Sequence, residues 1–305
     1  MSLKDLKFKF RNGDISKCDY INEMHKKHKH LFEYAEFIKN TDIAKIEITD
    51  DFIVMISRYT GVKLFCDKND KRFVPIEILN FDAYEKTEFE MVLKLIEEKF
   101  TVFDIGANIG WYSINISKAI KDVRVFAFEP VQETFEFLKK NIEMNNISNT
   151  QIFNFGFSNK ERELIFYYDP ENSGNASAAN LSKSNKVKEK KCFVKRMDDF
   201  VIEKGLIVDF IKCDVEGAEL MVFQGGTETI KKHKPIIYTE MLRKWSEKFN
   251  YYPNDVINLL SCQGYGCFVA KDDKLVEFTE MNDRTTETNF FFLHKEKHQS
   301  YINNS

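Results

Sequence analysis

The chain has 305 residues, of which 43% are apolar, including 29 phenylalanines, and this composition predicts a globular protein with a sizeable core. With 45 basic and 48 acidic residues the formal net charge is −3, so we expect no long-range attraction for nucleic acid or an anionic membrane. The six cysteines lack metal-ligand spacing and no apolar run approaches about 20 residues, which predicts free thiols, no membrane span and a cytoplasmic location.

Residues 1–82 are predicted to form a small N-terminal α+β appendage of helices and a hairpin. His25, His28 and His30 are interleaved with lysines, which would repel a metal cation. A solvated helix face therefore explains these histidines better than a metal site does. From residue 45 to residue 66, apolar and polar residues alternate around two turn signals, and this pattern is typical of a hairpin or meander.

A main domain is predicted to follow over residues 83–296, with a polar tail over residues 297–305. Asp82 and Glu85 have the spacing of a capping box in front of a helical stripe of apolar residues. This helix leads directly into a short β-branched and aromatic run, Thr101–Ile105, which is typical of a buried strand. We therefore expect the helix to join the appendage to the main domain.

The residues after this first strand predict a ligand-binding turn. Gly106 and Gly110 allow the backbone to turn sharply into a helix, whose first N–H groups then point at whatever lies above the strand end. The dinucleotide fingerprint Gly-x-Gly-x-x-Gly would need glycines in place of Asp104 and Ile109, so that kind of site is not predicted. A carboxylate at the strand tip repels phosphates, but it can hold an ammonium group or ribose hydroxyls.

Strand and helix patterns alternate from residue 101 to about residue 260, which predicts a doubly wound, mostly parallel α/β sheet. Three strand patterns after residue 264 predict an antiparallel C-terminal edge. Four predicted parallel strands end in an acid: Asp104, Glu129, Asp214 and Glu240. Because ligands bind at the carboxyl ends of parallel strands, these acids predict a site there, with Glu129 placed to accept hydrogen bonds from a ribose diol.

Several segments, taken together and in order, resemble the FkbM-type family of S-adenosylmethionine-dependent methyltransferases. They are residues 104–110 (Asp-Ile-Gly-Ala-Asn-Ile-Gly), 128–130 (Phe-Glu-Pro), 211–219 (Ile-Lys-Cys-Asp-Val-Glu-Gly-Ala-Glu) followed by two glycines at 225 and 226, and 235–240. The resemblance covers roughly residues 84–294. It implies a Rossmann-like class I methyltransferase fold, S-adenosylmethionine as cofactor, and O-methylation of a hydroxyl on a sugar, glycan or similar small molecule.

The resemblance also implies roles for individual residues. The cofactor would be held by Asp104, Gly106, Asn108, Gly110 and Glu129. The catalytic residues that face the acceptor would be Asp214, Glu216 and Glu240. For Glu219, a favourable position in the first turn of a helix is explanation enough.

The way in which the acceptor hydroxyl loses its proton stays open at this point. Asp214 is the first candidate base, because it ends the strand next to the cofactor strand. Asp214 and Glu240 could instead hold a Mg²⁺-like cation through oxygen ligands, but the sequence identifies no third ligand. Two other functions also stay open: an NAD-linked sugar oxidoreductase, and a catalytically silent module that binds S-adenosylmethionine.

Residues 170–191 form a polar stretch rich in Asn, Ser and Lys, which predicts a long loop. In a doubly wound sheet this loop can reach the carboxyl edge, so it is either a lid over the acceptor or a disordered insertion. Its short neutral side chains suit sugar hydroxyls: Asn172, Ser173, Asn175, Ser177, Asn180 and Ser182.

Overall fold

The structure is a computed structural model that describes residues 1–181 and 185–303. An eight-stranded sheet forms its centre. From one edge to the other its strands are β13 (Lys274–Phe278), β12 (Tyr265–Lys271), β14 (Asn289–His294), β11 (Ile236–Glu240), β10 (Phe210–Cys213), β4 (Thr101–Ile105), β5 (Arg124–Phe128) and β6 (Thr150–Phe153).

The strands from β11 to β6 run parallel, and the three strands at the other edge pair antiparallel. From β4 the chain runs outward to β5 and β6, and it then returns to β10 and β11 on the other side of β4. The strand order thus reverses between β4 and β10, where the carboxyl ends leave a crevice. The predicted doubly wound sheet with an antiparallel C-terminal edge is confirmed.

Helices cover both faces of this sheet. They are α4 (Lys86–Leu95), α5 (Trp111–Ala119) and α6 (Gln132–Met144) on one face, and α7 (Met197–Lys204), α8 (Glu219–Gly225), α9 (Thr227–His233) and α11 (Pro253–Ser261) on the other. Successive strand residues point to opposite faces, so Val102 of β4 packs with the first group and Phe103 with the second. The core therefore lies in two layers around one sheet.

Two small sheets flank the large one. The N-terminal sheet contains β1 (Ile43–Ile48), β2 (Ile53–Ser57) and β3 (Lys63–Cys66), and the other contains β7 (Gly156–Phe157), β9 (Lys188–Lys195) and β8 (Arg162–Tyr168). Helix α6 supplies hydrogen-bond acceptors to the outer edge of β3. The side chain of Asn141 accepts from the backbone N–H of Phe65, and that of Asn145 accepts from the backbone N–H of Lys63, each at 2.9 Å. The N-terminal sheet therefore packs against the main domain.

The remaining elements are short or peripheral. They are α1 (Leu3–Arg11), α2 (Lys17–Phe37), α3 (Val74–Phe81), α10 (Arg243–Ser246), α12 (Gln299–Asn303), and the 3-10 helices Ile38–Asn40, Ser173–Asn175 and Glu247–Phe249. The predicted tail contains α12 and a buried His298, while Asn304 and Ser305 lie outside the described residues.

The predicted capping box at the start of α4 is wrong. Asp82 and Glu85 both have positive φ angles, of 70° and 42°, and neither side chain caps the helix. The carboxylate of Glu85 instead accepts a hydrogen bond from Tyr112 of α5. A tertiary contact has replaced the local one that the sequence spacing favoured.

Gly106 is required by the close approach of β4 and β10. Its φ is +75°, and a Cβ there would lie 1.8 Å from the carbonyl oxygen of Asp214. Gly205, with φ +60°, is a matched control because a Cβ added there would meet nothing within 4 Å. The two glycines share the backbone strain but not the steric conflict.

We expect Gly205→Ala to lower the free energy of unfolding by about 1–2 kcal/mol, the cost of a left-handed backbone alone. We expect Gly106→Ala to cost more than about 4 kcal/mol, because the tips of two central strands must separate. Urea unfolding of both variants measures the difference. Equal losses would contradict the steric argument.

Candidate functional site

Two adjoining cavities open at the carboxyl ends of β4, β5, β10 and β11. One, of about 260 Å³, is lined mainly by apolar side chains and is called here the apolar cavity. The other, of about 450 Å³, is lined by many charged and aromatic side chains and is called the acidic cavity. The residues that line both are Gly106, Asn108, Gly174, Asp214 and Glu216. These shared residues mark the junction through which a group could pass from one cavity to the other.

The apolar cavity lies between the large sheet and the β7-β9-β8 sheet. Its apolar lining includes Phe157, Leu164, Phe166, Val194 and Met221. A flat, uncharged ring system of a cofactor fits such a lining. Glu129, at the end of β5, also lines the apolar cavity. Unlike Asp214 and Glu216, it does not line the acidic cavity as well.

Glu129 is held rigidly by the backbone. Its two carboxylate oxygens accept hydrogen bonds from the N–H groups of Asn108 at 3.1 Å and Val131 at 2.9 Å. Burial raises the pKa of Glu129 to about 7, although the two backbone N–H groups act in the opposite direction. The remaining lone pairs of this fixed carboxylate can accept hydrogen bonds from a diol.

The turn after β4 places its residues at different depths. Gly106 and Asn108 line both cavities, whereas Gly110 starts α5 with φ 92°. Asp104 is fully buried beneath the turn, where its Oδ2 accepts a hydrogen bond from Ser113 Oγ at 2.5 Å. Asp104 and Gly110 therefore lie behind the cavity walls and line neither cavity.

Lys212, on β10, connects the turn to the acids around it. Its Nζ donates to the carbonyl oxygen of Gly106 at 2.9 Å and lies 3.6 Å from Asp104 Oδ1 and 3.3 Å from Asp214 Oδ2. Burial by itself lowers the pKa of Lys212, but Asp214, Asp104 and Glu85 together raise it above its ordinary value. The lysine stays charged and balances part of the surrounding negative charge.

Asp214, Glu216 and Glu240 converge at the acidic cavity. One oxygen of each carboxylate lies within 4.8 Å of the others. Burial, Asp214 and Glu85 raise the pKa of Glu240 to about 9, and burial, Asp214 and Glu240 raise that of Glu216 well above its ordinary range. The three acids predicted to face the acceptor are thus brought together by the ends of β10 and β11.

The acidic cavity also contains residues that sequence reasoning missed. Glu85 accepts a hydrogen bond from Tyr112 at 2.6 Å, and the Tyr112 hydroxyl lies 3.1 Å from that of Tyr238. Burial raises the pKa of Glu85 to about 7. Glu85 and Tyr238 are 153 residues apart in the chain, so no local spacing could have paired them.

The predicted loop is shorter than expected, because Lys188 to Lys191 belong to β9. Its first half is anchored at the site: Ser173 is buried and donates from its backbone to Asp70, and Ser177 Oγ donates to the carbonyl oxygen of Glu216 at 2.8 Å. Gly174 lines both cavities. Ser182, a predicted sugar contact, lies outside the described residues.

The reversed strand order and the acid-lined crevice at the strand ends define a doubly wound, Rossmann-like α/β protein. Residues 104–267 match the family model described as the methyltransferase FkbM domain, which is more than half of the chain. The protein belongs to the FkbM methyltransferase family, and its cofactor is S-adenosylmethionine.

Several named proteins are similar to this chain. Methyltransferase 1 of Beauveria bassiana is 28% identical over 201 residues, covering 60% of this chain and 75% of that protein. The 2-O-methyltransferase NoeI of Sinorhizobium fredii is 27% identical over 51% of this chain and 68% of its own length. The hexuronic acid methyltransferase AglP of Haloferax volcanii is 27% identical over 48% of this chain and 58% of its own length.

A solved structure described as methyltransferase FkbM from Methylobacillus flagellatus is also similar, with 18% identity, a TM-score of 0.39, and coverage of 70% of this chain and 52% of that one. Family membership decides against the NAD-linked oxidoreductase and the silent module that the sequence left open. Within residues 1–181 and 185–303, no helix has the length and apolar character needed to cross a membrane.

The raised pKa of Glu129 makes the stability of the ligand-free protein depend on pH. The folded state holds a proton on Glu129 up to about pH 7, whereas the ordinary pKa is 4.5. The stabilisation of the folded state by the protonated Glu129 is therefore fully present below pH 4.5. It is lost as the pH rises through about 7.

We expect the free energy of unfolding of the wild type, relative to Glu129→Gln, to fall by up to about 3 kcal/mol between pH 4.5 and pH 8. The variant lacks one hydrogen-bond acceptor at every pH. The loss of this acceptor therefore does not change how the difference in unfolding free energy depends on pH. Chemical denaturation over this range measures the difference. A constant difference between the two proteins would refute the assigned shift.

Proposed function

We propose that the protein transfers the methyl group of S-adenosylmethionine to a hydroxyl oxygen of a sugar or a similar small polyol. The observation that carries the proposal is the junction of the two cavities, where Asp214 and Glu216 belong to both walls. In this proposal the apolar cavity holds the adenosine part of the cofactor and the acidic cavity holds the acceptor. The names of NoeI and AglP, a 2-O-methyltransferase and a hexuronic acid methyltransferase, support an oxygen of a sugar as the target.

The bound cofactor supplies an electrophilic methyl group on a positively charged sulfur. For its binding we assign Glu129 to the ribose hydroxyls and the backbone at Gly106 and Asn108 to the wall beside the methionine part. Asp104 and Gly110 support this wall from behind, through Lys212 and through the start of α5 respectively. The acids along the junction favour a sulfonium there, because a positive charge on sulfur offsets the repulsion between their carboxylates.

The polar and aromatic lining of the acidic cavity suits a sugar or a similar polyol. Its wall contains five acids, Glu77, Glu85, Asp214, Glu216 and Glu240, and three bases, Arg72, Lys212 and Lys244. Burial and neighbouring acids raise the pKa values of Glu85, Glu216 and Glu240, so these groups can donate as well as accept hydrogen bonds with acceptor hydroxyls. Tyr84, Trp111 and Trp245 also line the cavity and offer aromatic surface against which the apolar face of a sugar ring can pack.

Asp214 is assigned as the group that receives the hydroxyl proton. As the acceptor oxygen bonds to the methyl carbon, the carbon–sulfur bond breaks with its electron pair on sulfur, and the proton passes to the Asp214 carboxylate. Asp214 lies at the junction and has a partly exposed carboxylate close to Lys212. The other acids hold the acceptor hydroxyls by hydrogen bonds, and the fixed walls align the reacting atoms.

Cofactor binding can be tested with S-adenosylhomocysteine, the demethylated product. Removal of the Glu129 carboxylate deletes charge-assisted hydrogen bonds to the ribose, so Glu129→Ala should weaken binding by about 2–3 kcal/mol in calorimetry. Glu143→Ala, an exposed acid on α6, is the control and should bind like the wild type. Equal affinities for all three proteins would remove Glu129 from the cofactor site.

The transfer itself can be tested by mass spectrometry of neutral sugars, glycans and uronates incubated with labelled S-adenosylmethionine. We expect the label on a hydroxyl oxygen of one of these acceptors. Asp214→Asn should lower kcat by about 10²–10⁴ while the affinity for S-adenosylhomocysteine stays within a few-fold of the wild type. Labelling of nitrogen or carbon would contradict the proposal, as would a fully active Asp214→Asn.

A further inference from the structure

Asp214 and Glu216 of the junction, together with the nearby Glu240, have the spacing of a cation site. Two oxygens on opposite sides of one Mg²⁺ ion lie about 4 Å apart, and on one Ca²⁺ ion about 5 Å. The oxygens of Asp214, Glu216 and Glu240 already lie within 4.8 Å of one another, so small side-chain rotations bring all three onto one ion. They supply only oxygen ligands, which hard divalent cations prefer.

The backbone fixes where these oxygens stand. Asp214 directly follows β10, and Glu240 is the last residue of β11. These two strands are neighbours in the sheet, where Cys213 pairs with Thr239. Glu216 returns to the same side through a turn in which its own φ is 53°. Gly217 then packs closely against the backbone of Trp245. Two separate segments, the turn after β10 and the end of β11, therefore direct the three carboxylates to one point.

Glu216 supplies an independent observation. Its Oε2 is buried and has no hydrogen-bond partner among the described residues. The neighbouring Glu219 is different, because its carboxylate accepts hydrogen bonds from the backbone of Val215 and Gly217 and from the hydroxyl of Tyr251. Leaving a buried carboxylate oxygen unpaired is costly unless a cation or a proton meets it. Glu216 thus combines a buried, unpaired oxygen with a place in the three-carboxylate cluster.

The charge of the surrounding wall points the same way. With all groups ionised, the five acids and three bases of the acidic cavity leave two negative charges. Lys212 is already engaged by Asp104, Asp214 and the Gly106 carbonyl. One divalent cation would balance this excess at the point where the acids are densest.

We propose that Asp214, Glu216 and Glu240 bind one divalent cation of the Mg²⁺ or Mn²⁺ class, whose open positions take two neighbouring hydroxyls of the acceptor. The second half of this proposal rests on the proposed function, whereas the first half does not. Asp214 ligates through one oxygen and keeps the other for the hydroxyl proton. The cation orients the acceptor and stabilises the negative charge that develops on its oxygen.

The binding test uses Mn²⁺ alone, without cofactor or acceptor, and follows the electron paramagnetic resonance signal of free Mn²⁺. We expect one site on the wild type, with Mg²⁺ as a competitor. Glu216→Gln and, independently, Glu240→Gln should weaken Mn²⁺ binding by at least about 10–100-fold, the range known for the loss of mere supporting groups around a metal. Thermal unfolding of each variant shows that it is folded.

Glu85→Gln is the matched control. It removes one ionisable acid from the same cavity, but Glu85 lies outside the three-carboxylate cluster, so Mn²⁺ affinity should change only a few-fold. If Glu85→Gln weakened binding as much as Glu216→Gln, the attraction would be diffuse and the site would be refuted. Absence of Mn²⁺ binding to the wild type up to about 1 mM would also refute it.

The two proposals fail separately. Stoichiometric Mn²⁺ binding without methylation of any sugar would keep the cation site and overturn the proposed acceptor. Methylation of a sugar that is indifferent to a chelator, by a protein that binds no Mn²⁺, would overturn the cation site and keep the proposed function.

Discussion

The site depends on one buried ion-pair centre, Lys212 among the carboxylates at the tips of β4 and β10. The lysine side chain is 5% exposed and that of Asp104 1%, so neither charge is solvated by water. A buried charge that loses its partner is strongly destabilising, by about 3–5 kcal/mol. Because Lys212 also donates to the carbonyl oxygen of Gly106, the same ammonium group fixes the turn that forms the wall between the two cavities. Charge balance and the shape of the site therefore have a common origin.

Around this centre the acidic cavity is completed by parts of the chain that lie outside the residues matched by the family model. Residues 104–267 match the family, but Arg72, Tyr84, Glu85 and Asn289 also line the cavity. Asp70 holds Ser173 of the loop after β8, and Ser177 of that loop holds the backbone of Glu216. Part of the wall of the acidic cavity thus comes from the N-terminal region, the loop after β8 and β14.

The concentration of acids opposes folding and serves chemistry at the same time. Burial raises the pKa values of Glu85, Glu129 and Glu219 to about 7, which means that the folded chain binds protons that the unfolded chain releases. Glu129 and Glu219 are each fixed by backbone N–H groups, whereas Glu216 is not. The cost of burying these acids lowers the stability of the ligand-free protein. A site that binds positively charged groups of a ligand can tolerate this cost, because ligand binding removes it.

The sequence by itself determined the alternation of strands and helices, the sheet class, and the acids at the strand ends. These follow from local patterns, since a buried strand such as Thr101–Ile105 and the glycine after it are written in consecutive residues. Only the tertiary structure decided which side chains meet. Glu85 accepts a hydrogen bond from Tyr112 instead of forming the predicted capping box. Asp104 lies beneath the turn beside Lys212, and the carboxylate of Glu216 lies close to those of Asp214 and Glu240. Such contacts depend on how distant segments pack and on which buried charges must be balanced, and neither leaves a fixed spacing in the chain.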